Sequence, residues 1–180
     1  RTWDIRPSYL NRVLLANKWP QLCLGTFPRA FESLDLRGYD VVLSVTSAFA
    51  HGVITQAETR HVCYCLTPAR FLWSYHSYIE REGVGRLARL VLPRLMHGLR
   101  QWDCLAAERV DEFVAISSTV QRRIAKTYRR DARIIYPPVR TEYFASQEPP
   151  EDYYLVVSRL VPYKRIDLAV RAFTTLGLPL

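Results

Sequence analysis

Apolar runs and polar turns alternate along this chain in an order that predicts strands followed by helices. Short apolar or β-branched runs bounded by polar residues predict strands at 39–45, 60–67, 111–117 and 132–136. Helices are expected at 70–82, 86–110 and 118–128, with a further one around 9–16 and Ser118 as an N-cap. Strands that alternate with helices are typical of a parallel sheet in an α/β fold.

The pattern at 86–110 is amphipathic and therefore predicts a helix with one buried face. Its apolar stripe is Leu92, Leu95, Met96, Leu99, Trp102 and Ala106, and its polar side is Arg94, His97, Gln101 and Glu108. Pro93 is expected to restart or kink this helix. The polar side is interpreted as a solvated basic face on a helix packed against the sheet, with contact to anionic lipid as the alternative.

The stretch 152–176 predicts one strand, a loop and one helix. Residues 153–157 read as a buried strand, and apolar residues recur at helical spacing after Lys164. At such a junction backbone N–H groups and the helix dipole attract anions. Arg159 and Lys164 flank the loop, with Arg159 leaving the strand end and Lys164 entering the first helical turn, so both cations could bind one diphosphate. The alternative is two solvated basic residues at a surface turn, since no glycine-rich loop accompanies them.

Several sequence blocks resemble group 1 glycosyltransferases, which are retaining enzymes with the two-domain GT-B fold. They occur in the family's order: YDVVLSVTSAFAHGVI, RHVCYCLTPARFLW, RQWD, AERVDEFVAIS, IIYPPVRTEYF and SRLVPYKRIDLAVRAF. The resemblance covers nearly the whole chain and is strongest to the polysaccharide mannosyltransferase-like subgroup. It implies that Arg159 and Lys164 hold the donor diphosphate. It also implies a nucleotide-sugar donor, with GDP-mannose as a candidate, a glycan or lipid-linked acceptor, no other cofactor and no essential metal.

The resemblance also implies the domain organisation. Residues 1–139 would be the later part of a Rossmann-like, acceptor-side domain, and 140–151, polar and proline-bearing, an interdomain linker. Residues 152–180 would begin the nucleotide-sugar-binding domain. Because the family's earlier glycine-rich loop and later sugar pocket are not in this sequence, we expect a fragment truncated at both ends and inactive by itself.

The acceptor side of the site is expected around the block YCLTPARFLW. Related enzymes usually carry histidine where this chain has Leu66, which cannot hydrogen-bond or exchange a proton, so the catalytic residue is unknown. Thr67 and Arg70 match the block and are predicted acceptor-side contacts. His51 or His61 could substitute for the missing histidine, although a lone histidine near a strand is more often structural.

The net charge of +8 is concentrated in one part of the chain. Residues 86–133 hold eleven Lys or Arg and five Asp or Glu. A basic face can serve nucleic acid, anionic lipid or an anionic substrate. The aromatic residues lie mainly at buried-looking positions and no recognised nucleic-acid motif appears, which makes a nucleic-acid-binding module the weaker alternative. Leu66 favours another alternative function, which is the binding of a glycan or a partner without catalysis.

Apolar runs and cysteines indicate the compartment. No apolar run reaches the roughly 20 residues that a membrane span needs, and neither a signal peptide nor a native start is visible in this sequence. The four cysteines lack the spacing of a zinc knuckle and read as buried thiols in a reducing compartment, without a metal site: Cys23, Cys63, Cys65 and Cys104. We therefore predict a cytoplasmic protein that docks peripherally on the inner face of the membrane if its basic surface binds anionic lipid.

Overall fold

The computed structural model describes residues 4–14, 18–74, 86–144, 151–161 and 164–180. The described residues up to Pro137 form one compact unit, and those from Pro138 onward form a second. Among the described residues, no helix combines the length and the apolar character that crossing a bilayer requires.

The first unit is built on a four-stranded, all-parallel sheet. Its strands are β1 (Val41–Thr46), β2 (Arg60–Cys65), β3 (Glu112–Ala115) and β4 (Ala132–Ile134), in the spatial order β1-β2-β3-β4. In the register of this sheet Ser44 lies beside Cys63, and Cys65 lies beside Ala115. The four strands predicted for this part of the chain are confirmed, and the fold is a Rossmann-like α/β fold.

Helices connect and cover these strands. They are α1 (Phe27–Glu32), α2 (Arg70–Trp73), α3 (Arg86–Glu108) and α4 (Ser118–Tyr128), with 3₁₀ helices at Tyr9–Arg12, Pro20–Thr26 and Ala50–Gly52. The helix expected around 9–16 is a short 3₁₀ helix, and residues 15–17 lie outside the described residues. Of the helix expected at 70–82, residues 75–82 also lie outside them.

The main core lies between one face of the sheet and helix α4. Because side chains alternate along a strand, every second residue faces this core. Its buried members are Cys63, Cys65, Ala107, Val110, Phe113, Ala115, Val120, Ile124 and Tyr128. On the other face of the sheet, Val41, Leu43 and Val45 of β1 are each more than half exposed.

Helix α3 packs a second core with its apolar stripe. Met96 and Leu99 are buried against Phe49, Ala69 and Leu72, and the other predicted stripe residues are partly or fully buried with them. The predicted polar side is exposed, so the amphipathic prediction is confirmed. The helix is continuous through Pro93 instead of restarting there.

Side chains stabilise both ends of α4, and the sequence pattern predicted only some of them. Ser117, rather than the predicted Ser118, is the N-cap: its backbone is extended and its hydroxyl accepts the Val120 N–H at 3.2 Å. At the other end Arg129 adopts the left-handed conformation, with φ of 56°. Arg130 then donates to the carbonyls of Val110 at 2.7 Å and Ala107 at 3.1 Å, which stabilises the carboxyl end of α3.

The second unit contains helix α5 (Ile166–Leu176) and a 3₁₀ helix at Thr141–Phe144. Residues 153–157, predicted as a buried strand, are not in a strand and are exposed, with Val157 at 85%. A strand is stabilised by a ladder of hydrogen bonds to a neighbour, and no described residue of this unit supplies one. The Tyr154 N–H donates instead to the Pro179 carbonyl at 3.0 Å, and the Tyr154 ring packs on Phe173.

Candidate functional site

The carboxyl ends of the parallel strands bring three connecting segments of the first unit together. These follow Thr46 of β1, Cys65 of β2 and Ala115 of β3. The Leu66 N–H donates to the Thr46 carbonyl at 2.8 Å, so the strands continue side by side up to this edge. Ligands of open α/β sheets bind at this edge, because loops and helix N-termini converge there. We call it the carboxyl edge.

Thr67 and Arg123 meet at the carboxyl edge. The Arg123 guanidinium donates from Nη1 to Thr67 Oγ1 at 3.2 Å, although the two residues are 56 positions apart in sequence. Thr67 is partly buried and Arg123 is exposed. Arg70 begins helix α2 three residues after Thr67 and is exposed too. Thr67, Arg70 and Arg123 therefore bring a hydroxyl and two guanidinium groups to this edge.

Arg123 is the member of this group that sequence patterns do not single out. It lies in a run of basic residues on α4, and helical spacing alone does not distinguish it from its neighbours. The direction in which helical side chains lean could have identified Arg123 from the sequence. Side chains on a helix lean toward its N-terminus, and the N-terminus of α4 lies at the carboxyl edge.

Leu66 lies at the carboxyl edge, one residue before Thr67. It is 37% exposed and immediately follows strand β2. A leucine there offers an apolar surface to a ligand, with no hydrogen bond and no proton to exchange. The position of Leu66 therefore offers no group for acid–base chemistry.

His51 lies beneath the carboxyl edge rather than on it. Its side chain is only 1% exposed, and its Nε2 lies 3.3 Å from Asp103 Oδ1 on α3. Burial lowers the pKa of His51, but the hydrogen bond and the negative charge of Asp103 outweigh burial, so the net pKa is raised. The observed contacts give His51 a structural role, and its side chain does not reach a ligand at the surface of this edge.

Asp103 connects the segments that follow β1 and β2. Besides facing His51, it accepts the Trp73 indole N–H through Oδ2 at 2.8 Å. His51 belongs to the segment after β1, and Trp73 belongs to α2, the helix that begins with Arg70. One buried carboxylate thus fixes both segments to α3.

Further contacts hold the same segments against α3. The Arg109 guanidinium donates to the Gly52 carbonyl at 2.9 Å and to Glu32 at 3.0 Å. Arg100 Nε donates to the Leu72 carbonyl at 2.7 Å. Gly52 itself packs directly on Trp102, where a Cβ would overlap the indole ring. The carboxyl edge therefore stands on a rigid support, which favours a fixed binding geometry.

His61 is also buried and is held within the sheet. Its Nε2 lies 2.9 Å from Ser44 Oγ, and its backbone N–H donates to Asp111 Oδ2 at 2.7 Å. Burial is the main cause of its lowered pKa. His61 therefore does not supply the missing histidine at the surface of the carboxyl edge.

The cysteines lie in the interior as free thiols. Cys23, Cys63 and Cys65 are buried, and Cys104 is partly buried. Within the described ranges, no three His, Cys, Asp or Glu residues form a group that could hold a metal ion. Hydrogen bonding to Cys65, more than any other cause, lowers the pKa of Cys63.

Arg159 and Lys164 lie close to the start of α5 in the second unit. The Val161 N–H donates to the Arg159 carbonyl at 2.9 Å, and the Lys164 N–H donates to the Val161 carbonyl at 3.0 Å. These two backbone hydrogen bonds link Arg159, Val161 and Lys164, and the side chains of both cations are exposed. Lys164 was expected in the first helical turn, but the helix begins at Ile166, after Arg165 in the left-handed conformation.

The amino end of α5 already has a carboxylate beside it. Asp167, in the first turn, accepts from Arg165 at 3.1 Å, and this hydrogen bond is the main cause of its lowered pKa. Next to this turn is an open cleft of about 350 Å³, lined by residues that include Tyr153, Ser158 and Ile166. An anion in this region would be bound mainly by the cations of Arg159 and Lys164, since Asp167 opposes the attraction of the helix dipole.

Comparison of this chain with known proteins identified no relative. No family model, no curated protein and no solved structure significantly matches this chain.

Proposed function

We propose that this chain belongs to a retaining glycosyltransferase, which transfers a sugar from a nucleotide-sugar donor to a glycan or lipid-linked acceptor. The observation that carries the proposal is the two backbone hydrogen bonds that link Arg159, Val161 and Lys164 directly ahead of helix α5. This arrangement supports diphosphate binding, because two cations of different geometry are presented on one short segment.

In this function Arg159 and Lys164 stabilise the leaving group. Negative charge develops on the nucleotide diphosphate as the bond to the sugar breaks, and fixed positive charge lowers the free energy of that transition state. The Arg159 guanidinium can form two parallel hydrogen bonds to phosphate oxygens, whereas the Lys164 ammonium acts as a mobile point charge. GDP-mannose is the donor that we would test first.

The carboxyl edge of the first unit supplies the acceptor side. Thr67 and Arg70 offer a hydroxyl and a guanidinium there, and the buried Asp103 fixes the segments around them. Leu66 contributes apolar contact only, so acceptor deprotonation is not assigned to this position. His51 and His61 are buried, and their contacts hold the segment after β1 and the sheet in place.

Replacing Lys164 with alanine in the full-length protein tests the proposal. We expect kcat to fall by roughly 10²- to 10³-fold, as for the loss of one preorganised donor to a developing charge. Lys164→Arg should retain part of the activity. The matched control is Arg171→Ala, which removes an exposed cation of α5 that is not one of the proposed diphosphate ligands and should leave kcat near the wild-type value. Near-normal turnover in Lys164→Ala would contradict the role.

A second candidate function is binding of a glycan or a partner without catalysis. Leu66 favours it, since the position offers no group that exchanges a proton. Glycan binding by the wild-type protein without sugar transfer from any tested nucleotide sugar would favour this second function. Transfer by the wild-type protein would exclude it.

A further inference from the structure

Arg123 differs from the other basic residues of α4 in where its side chain goes. Val120, Ile124 and Tyr128 define the buried side of the helix. At helical spacing Arg122, Lys126 and Arg129 form one outward stripe, and all three are exposed. Arg123 lies beside this stripe and reaches across to Thr67 at the end of β2. It therefore belongs to the carboxyl edge rather than to the outer surface of the helix.

The contact between Arg123 and Thr67 leaves hydrogen-bond donors available to a ligand. Thr67 Oγ1 accepts from Arg123 at 3.2 Å, so its own O–H proton can be donated elsewhere. The guanidinium has five N–H donors, and this contact uses one of them. In the described part of the chain, no ion pair with an acidic side chain involves Arg123.

This pair fits a ligand group that carries negative charge and only accepts hydrogen bonds. A phosphate group meets both conditions, because its oxygens accept from the fork of an arginine and from a hydroxyl at the same time. The exposed Arg70, three residues beyond Thr67, adds positive charge to the same edge. The segments beneath it are fixed by Asp103, which reduces the entropy lost on binding.

We propose that Thr67 and Arg123 bind a phosphate group of the acceptor, and that Arg123 selects phosphate-bearing acceptors over neutral ones. The inference rests on the proposed function in one respect only, which is that the ligand is the acceptor of sugar transfer. The phosphate could belong to a lipid-linked acceptor or to a soluble sugar phosphate, since both present the same group.

The first experiment measures phosphate binding without enzyme activity. Inorganic phosphate is titrated into the ¹⁵N-labelled chain at constant ionic strength, with chloride as the reference anion. We expect saturable shifts of the Thr67 amide and the Arg123 Nε signal, and about tenfold weaker binding in Arg123→Gln, as for a lost charge-assisted hydrogen bond. Arg122→Gln is the matched control, because that side chain contacts Thr119 on its own helix; its affinity should change by less than twofold.

The second experiment measures specificity in the full-length protein. Arg123→Gln should raise KM for a phosphate-bearing acceptor about tenfold, while kcat and the KM for a neutral acceptor stay near wild type. Arg123→Lys should restore part of the affinity if charge is the cause. Comparing a lipid-linked phosphate with a soluble sugar 1-phosphate identifies the source of the group.

The two experiments separate failure of this inference from failure of the proposed function. Phosphate binding that depends on Arg123, in a protein that transfers no sugar, would support the site and contradict the glycosyltransferase. Sugar transfer without phosphate-dependent shifts would overturn the site and leave the enzyme. Equal losses in Arg122→Gln and Arg123→Gln would overturn it too, since nonspecific charge would then explain the binding.

Discussion

The two compact units differ in how their structure is held together. Among the described residues, the first unit contains all four strands and every buried side chain, whereas the second contains one α-helix, one 3₁₀ helix and no buried side chain. Charge divides in the same way. Residues 138–180 hold five Lys or Arg and five Asp or Glu, so the excess of eight positive charges lies in residues 1–137.

This difference shows which local signals are sufficient for structure. Helix α5 forms in the second unit because its signals are local: apolar residues at helical spacing, and Gly177 in the left-handed conformation at its end. Residues 153–157 are apolar and β-branched, as a strand requires, yet no described neighbour in the second unit pairs with them. A strand depends on a partner distant in sequence, whereas a helix depends mainly on itself.

The positive charges of the first unit serve two different purposes. Arg100, Arg109 and Arg130 donate to backbone carbonyls and stabilise the fold. Arg122, Lys126 and Arg129 point outward instead and form what we call the α4 stripe. Net charge therefore overstates the basic surface that a partner can meet.

The largest expected effect on stability comes from removing the buried carboxylate of the first unit. Asp103→Ala should lower the free energy of unfolding by about 3–5 kcal/mol, because it removes the buried carboxylate that accepts the Trp73 indole N–H and faces the buried His51 ring. Urea denaturation followed by tryptophan fluorescence measures the loss. Because the two units differ in this way, we expect that removing any single carboxylate of the second unit has no similar effect.

Asp167→Ala is the matched control in the second unit. Asp167 pairs with Arg165 in solvent, so its removal should not change the urea midpoint measurably. The pH dependence gives a further check. Since the folded pKa of His51 is raised, its stabilisation is complete below its unfolded pKa of about 6.5 and is lost as pH rises through the folded value. Asp103→Ala should remove this loss; an unchanged pH profile would contradict the pairing.

A smaller effect is expected from two glycines of the first unit. Gly52→Ala should destabilise the protein by about 1–3 kcal/mol, because the added Cβ overlaps the Trp102 ring. Gly98→Ala, on the exposed side of α3, should stabilise by about 0.5–1 kcal/mol, because a Cβ there meets open space and alanine favours the helix. Thermal unfolding of both variants checks the opposite signs, and a neutral Gly52→Ala would show that the loop is not held against α3.

The same distinction explains how much of the site the sequence could predict. The parallel sheet, the stripe of α3 and the positions of Thr67 and Arg70 relative to β2 and α2 follow from local patterns and sequence blocks. The placement of Arg159 at a strand end and of Lys164 in the first helical turn was wrong, since 153–157 form no strand and Lys164 lies two residues ahead of its helix. The contacts that build the carboxyl edge join residues more than 50 positions apart, such as His51 to Asp103 and Thr67 to Arg123. No local pattern carries such pairings, so they required the structure.

The smallest expected effect concerns the outer surface of the first unit, which we propose docks on anionic membranes. Each Lys or Arg near such a surface contributes about 1 kcal/mol, so the three residues of the α4 stripe would hold the protein transiently and reversibly with salt. In vesicle sedimentation, we expect retention on anionic vesicles at low salt, release at high salt and little retention on neutral vesicles. Arg122→Glu with Arg129→Glu should weaken retention.

The matched control makes the same change of charge in the second unit. Arg165→Glu with Arg171→Glu alters two exposed arginines of the electrically balanced residues 138–180, and it should weaken retention much less because those charges do not belong to the α4 stripe. Equal weakening by both double variants would mean that net charge alone attracts the protein, without a defined docking face. Equal retention on neutral and anionic vesicles would instead indicate insertion of apolar side chains, and the positive stripe would then have no part in membrane binding.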